Sequence, residues 1–73
     1  MKEINVGDKF ILHCENGKDY NCIVHNINNF RPPEMRYCLD ADVNGVPLSD
    51  YAFVDELFFE RNEDIIEFID NGT

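Results

Sequence analysis

Apolar and polar side chains alternate with a period of two through three stretches of this chain, and each stretch predicts a β-strand. The first two flank a single turn signal: Lys9-Phe10-Ile11-Leu12-His13-Cys14, then Glu15-Asn16-Gly17, then Lys18-Asp19-Tyr20-Asn21-Cys22-Ile23-Val24. A two-residue loop on Asn16-Gly17 would oppose Leu12 to Asn21 and Cys14 to Asp19, mixing apolar with polar side chains on one face. A loop of three residues, Glu15-Asn16-Gly17 with Gly17 left-handed, opposes Phe10 to Cys22 and Leu12 to Tyr20 and leaves one face apolar. In that register His13 lies across from Asp19, a pairing that favours the charged imidazolium.

The second strand is expected to run to about Ile27. It gives way to Asn28-Asn29-Phe30-Arg31-Pro32-Pro33-Glu34, where the prolines forbid a central strand. Met35 to Val43 then alternates, with Met35, Tyr37, Leu39, Ala41 and Val43 on one side and Arg36, Cys38, Asp40 and Asp42 on the other. Asn44-Gly45 suits a two-residue hairpin turn that sets Val43 against Val46 and Ala41 against Leu48. Pro47, opposite Asp42, places its strand at an edge.

Two readings compete from Ser49 onward. Tyr51-Ala52-Phe53-Val54 can form a strand, with a tight turn at Asp55-Glu56-Leu57 and a last strand Phe58-Phe59-Glu60. Alternatively, Ser49 can cap a helix through Glu60 with Tyr51, Val54 and Phe58 on one stripe. The strand reading is preferred. Asn62 reads as the N-cap of a C-terminal helix over about 62–70, with Ile65, Ile66 and Ile69 inward and Asn71-Gly72 as its stop.

At 73 residues and 44% hydrophobic, one domain with one modest core is expected. No apolar run is long enough for a membrane span, and Met-Lys-Glu-Ile-Asn-Val lacks a leader's apolar region, so a cytoplasmic location is expected. The odd set Cys14, Cys22 and Cys38 reads as small buried hydrophobes rather than a disulfide framework. His13, Cys14, Cys22 and His25 include a Cys-x-x-His step. Alternation sends the two cysteines inward and the two histidines outward, so neither metal nor cofactor is expected.

The hairpin, long loop, alternating strand and tight turn resemble small five-stranded barrels of the Src-homology-3-like (SH3-like) kind, including the Tudor-like and KOW-like groups. The residues that carry the resemblance are Val6-Gly7-Asp8-Lys9-Phe10, similar to the start of their first strand, and Phe53-Val54-Asp55-Glu56-Leu57, similar to the helical turn before their last. The resemblance spans roughly residues 4 to 61. It implies a mostly β fold, an SH3-like five-stranded antiparallel barrel followed by the short C-terminal helix. It also implies binding of nucleic acid, proline-rich peptides or methylated side chains. This chain departs from each: it is acidic, it has no Trp, and nothing in its spacing shows that Tyr20, Tyr37, Tyr51 and Phe53 converge into a cage.

Charge changes the picture most. Residues 1–36 hold five acids and five bases, whereas residues 37–73 hold ten acids and only Arg61, so the whole net charge of −9 lies in the second half. Direct nucleic-acid binding is therefore disfavoured. Asp40, Asp42, Asp50, Asp55, Glu56, Glu60, Glu63, Asp64 and Glu67 form the candidate partner-binding surface. Phe30, Arg31 and Arg36 at the proline loop form a second. These carboxylates either keep a small domain soluble or form an acidic face for a basic, nucleic-acid-handling protein. In the second case the chain resembles, in size and charge, phage-encoded nucleic-acid mimics that inhibit host nucleases, the anti-CRISPR proteins among them. The rival expectation is an adaptor or subunit domain with Tyr51, Phe53, Phe58 and Phe59 available for homodimer formation. His13 with Asp19 is the sole predicted acid–base pair, Cys38 has no histidine near it, and no glycine-rich phosphate loop exists, so catalysis is not expected.

Overall fold

The computed structural model describes residues 3–69. Its strands are β1 (Lys9–His13), β2 (Asp19–Ile27), β3 (Tyr37–Val43), β4 (Val46–Pro47), β5 (Ala52–Val54) and β6 (Ile66–Phe68), with one short helix, α1 (Phe58–Arg61). All pairings are antiparallel. The sheet runs β4-β3-β2-β1-β6, with β5 pairing the other end of the β3 edge that β4 occupies, and it does not close into a barrel.

The first hairpin takes the register that keeps one face apolar: Phe10 lies opposite Cys22, Leu12 opposite Tyr20 and His13 opposite Asp19. Gly17, at φ 81°, supplies the left-handed residue of the loop, and Cys14 N–H closes it on the Lys18 carbonyl at 3.0 Å. The second hairpin pairs Val43 with Val46 around Asn44 (φ 54°) and Gly45 (φ 82°), the two positive-φ positions that a tight primed turn demands. Pro47 sits on the edge strand, where a missing N–H costs no ladder bond.

One irregularity shifts the phase of β2. Val24 pairs with Leu39 and Asn26 with Cys38, so His25 is the extra residue of a β-bulge. Strict alternation from buried Val24 would send Ile27 outward; the bulge returns it to the core side, where it packs opposite Tyr37. His25 itself is exposed and stacks on Tyr51, ring centroids 4.6 Å apart.

Phe10, Cys22, Val24, Leu39, Ala41 and Phe59 form the core. Each large apolar side chain so buried contributes roughly 1.5–3 kcal/mol. Cys38 points away from this cluster, yet only 4% of it is exposed. Phe53, its cross-strand neighbour, carries the Arg31 guanidinium 5.0 Å above its ring, which brings the 28–36 loop over this end of the outer face. Cys22 is also buried, and desolvation pushes its thiol up to about 11. Thiol labelling at pH 8 is expected to modify half-buried Cys14 first and Cys22 only as fast as the domain opens; mass spectrometry of partly labelled protein checks this.

Two expectations for the C-terminal third are corrected. Phe58-Phe59-Glu60 is not a strand. A strand would put Phe58 and Phe59 on opposite faces, one of them in water. One helical turn brings both toward the core, with Phe59 buried and Phe58 half-buried against it. The expected helix over 62–70 is absent from its described part, residues 62–69; its last residue and the expected stop at Asn71-Gly72 lie outside the described residues. Asn62 closes α1 instead of opening a helix: its side-chain Nδ2 donates to the Phe58 carbonyl at 2.8 Å. Ile66-Glu67-Phe68 alternates with period two and pairs with the free edge of β1, setting Phe68 against Phe10 and Ile66 against Leu12. The exposed polar groups of that edge outweigh the weak helical preference of so short a segment.

Candidate acidic interface

The register places three of the nine candidate carboxylates on the outer face of the sheet. Glu67 of β6 lies beside Ile11, Ile11 beside Asn21, and Asn21 beside Asp42, so one row crosses four strands. Asp40 lies two residues along β3, opposite Ile23, whose other neighbour is Lys9. Asp40, Asp42, Asn21 and Lys9 border an open groove of about 370 Å³. Asp42 is partly spent within the fold, because its Oδ2 accepts the Gly45 N–H at 2.9 Å and holds the tight turn.

The remaining six follow from β5 onward or just before it. Asp50 and Asp40 converge on a shallow cleft of about 320 Å³ that Ser49 and Tyr51 also line. Asp55 pairs with Arg61 Nη2 at 2.9 Å, so the second half's one base is already engaged by an acid. Glu56 is exposed and lies near the Tyr37 phenol, whose pKa is raised first by burial and then by the Glu56 charge, against the opposing Arg36. Glu60 is exposed on α1, and Glu63 and Asp64 are exposed in the turn that follows. Since α1 packs its Phe59 against the inner face, the acids form two groups, one on the outer sheet face and one around the β5–α1 segment.

His13 joins the outer group to the hairpin. Its Nδ1 lies 3.0 Å from Asp19 Oδ1 and its Nε2 3.0 Å from Glu67 Oε1. Both ring nitrogens must donate to satisfy both carboxylates, which only the imidazolium can do. The hydrogen bonds that His13 donates to Glu67 and to Asp19 accordingly raise its pKa. Any stability this ion pair contributes is present below the ordinary histidine value of 6.5 and is lost as pH rises through the raised, folded value. Ring-proton NMR titration is expected to give His13 a midpoint above 6.5, dropping back toward that value in Glu67→Gln. Equal midpoints in both proteins would show that Glu67 does not act on the ring. The Asp19 contact is legible from the hairpin register; the Glu67 contact is not, because it depends on β6.

The second candidate surface is an ordered loop. Asn28 N–H donates to the Arg36 carbonyl at 2.8 Å, and Asn28 Oδ1 accepts the Phe30 N–H at 2.9 Å, leaving Phe30 fully exposed. Arg36 Nε donates to the Arg31 carbonyl at 3.2 Å. Of the four aromatics considered for dimer formation, Tyr51 and Phe53 are exposed, while Phe58 is half-buried and Phe59 is in the core. Among the described residues no cluster of three histidine, cysteine, aspartate or glutamate side chains could hold a metal ion, and no helix is long and apolar enough to cross a membrane.

Set against known proteins, the chain matches no family model, no curated protein and no solved structure. What fold and surface define is a class: a small antiparallel β domain with one short helix and a strongly acidic second half.

Proposed function

We propose that this protein is a cytoplasmic binding module that uses its acidic second half to occupy the basic surface of a nucleic-acid-handling protein, as an inhibitor or modulator and not as an enzyme. The observation that carries this reading is the charge distribution: ten acids against one base after residue 36, the base being paired with Asp55. Seven of the nine candidate carboxylates are exposed, and the other two, Asp42 and Asp55, are half-buried. Such a field attracts a cationic groove over several ångströms and raises association rates by about 10–10³. An acidic chain seated there competes with DNA or RNA for the same charges, in the manner of nucleic-acid mimics of the anti-CRISPR kind.

The finer fold reading is an SH3-like arrangement. In support, a hairpin, a third strand and a tight turn are followed by a helical turn and a last strand that returns to the free edge of β1. A second functional reading, a subunit domain that pairs through exposed Tyr51 and Phe53, is favoured by the exposure of those two rings two positions apart in the chain.

The test is a pull-down with tagged protein from lysate of the source cells or of the host, washed at about 0.1 M and then about 0.5 M salt, where screening lengths differ about twofold. A basic, nucleic-acid-binding partner released by the second wash is the expected result. A non-basic partner that survives it would sink the proposal and favour the aromatic surface.

A further inference from the structure

The inner face of the sheet is not fully covered. Phe59 of α1 seals the part around Phe10, Val24 and Leu39. Toward the first hairpin's turn, an open groove of about 220 Å³ remains, walled by Leu12, Tyr20, Leu39, Leu48, Ala52 and Phe58 among others. Its walls present apolar surface alone, and Leu48 and Ala52 are exposed at its mouth. A volume of this size suits one large aliphatic side chain and is too small for a helix face.

The segments that build the mouth are acidic. Asp50 stands two residues from both Leu48 and Ala52, and Glu56 two from both Val54 and Phe58; both are exposed. Lys18, two residues before Tyr20, is the one cation in the same relation to the walls. A second copy of this chain brings another net charge of −9 and is repelled, whereas a cationic segment is attracted. We infer that the groove accepts a single leucine-sized side chain projected from a lysine- or arginine-rich segment of the partner, the surrounding carboxylates engaging its charges. This inference rests on the reading above and adds to it a specific anchor, since charge complementarity gives rate and orientation whereas a side chain buried in a pocket carries much of the binding energy.

Three short synthetic peptides test it by amide NMR titration: lysines around one central leucine, the same peptide with serine for leucine, and glutamates around the leucine. The lysine–leucine peptide is expected to shift the amides of Leu12, Leu48, Ala52 and Phe58 saturably, and to bind about tenfold to a hundredfold more tightly than its serine counterpart. Ala52→Trp, which fills the groove from its exposed edge, is expected to abolish that difference; Leu48→Arg serves the same purpose should the tryptophan variant not fold. Equal binding of the leucine and serine peptides overturns the groove and leaves the acidic-surface reading standing. Equal binding of the glutamate and lysine peptides overturns the basic occupant and counts against the acidic-surface reading as well. Absence of shifts at the groove with every peptide overturns the inference outright.

Discussion

Replacing Phe59 by alanine is expected to lower the unfolding free energy by about 3–5 kcal/mol. Phe59 is only 3% exposed, and its ring meets those of Phe10, Tyr37 and Phe58 edge-on at centroid distances of 5.5, 5.5 and 5.3 Å, with Phe68 tilted at 6.5 Å. These partners come from β1, β3, α1 and β6, so one side chain ties four elements together. The four-residue helix that carries it has too few internal hydrogen bonds to persist by itself. A domain of 73 residues has a total stability of roughly 4–11 kcal/mol, so the substitution removes a large share of it. Urea unfolding followed by circular dichroism measures the loss. Phe30→Ala is the matched control: the same atoms leave a fully exposed position, and a change within about 0.5 kcal/mol is expected. A loss under about 1 kcal/mol for Phe59→Ala would mean that α1 does not seal the core.

Where period-two alternation continued unbroken, the strands were readable from residues alone. The loop of Glu15-Asn16-Gly17 follows from asking which register leaves one face apolar, and Asn44-Gly45 follows from turn chemistry. The bulge at His25 was hidden because one extra residue leaves no mark on composition; only the need to bring Ile27 back to the Tyr37 side reveals it. The chain after Val54 misled for a different reason. Phe58-Phe59 looks like a strand by propensity, and Asn62-Glu63-Asp64 looks like a helix start by capping. Both local preferences yielded to long-range demands: a lid over the inner face, and a partner for the open edge of β1.

The candidate site inherits the same division. Surface exposure of the acids was legible, because a carboxylate without a nearby cation in sequence has no reason to be buried. Which acids meet was not. Glu67 reaches His13 only because β6 lies beside β1, and Asp40 lines one cleft with Asp50 only because the segment before β5 passes beside β3. The separation into an outer group and a β5–α1 group likewise depends on α1 packing across the inner face. One consequence is that reversing charges at Glu56, Glu60, Glu63 and Asp64, away from the cleft that Asp40 and Asp50 share, tests the second group with the outer one left in place.

Reversing Glu56, Glu60, Glu63 and Asp64 to lysine is expected to slow association with the partner recovered in the pull-down by about 10–10³ at low salt. Each reversal adds two charges, so the four move the net charge from −9 to −1. All four side chains are exposed. Asp55 is left in place because it holds Arg61, and removing it would confound binding with a local rearrangement. The fold should survive and gain slightly from reduced self-repulsion, which thermal unfolding of the variant checks. Association rates measured at about 0.05 M and 0.5 M salt then separate the readings. If the acidic surface steers the partner, the parent protein loses rate steeply with salt, while the variant is slow at both concentrations and nearly insensitive to salt. If the acids serve only solubility, the variant associates as fast as the parent and aggregates as its net charge nears zero, and the interface must be sought at Tyr51, Phe53 and the Phe30 loop.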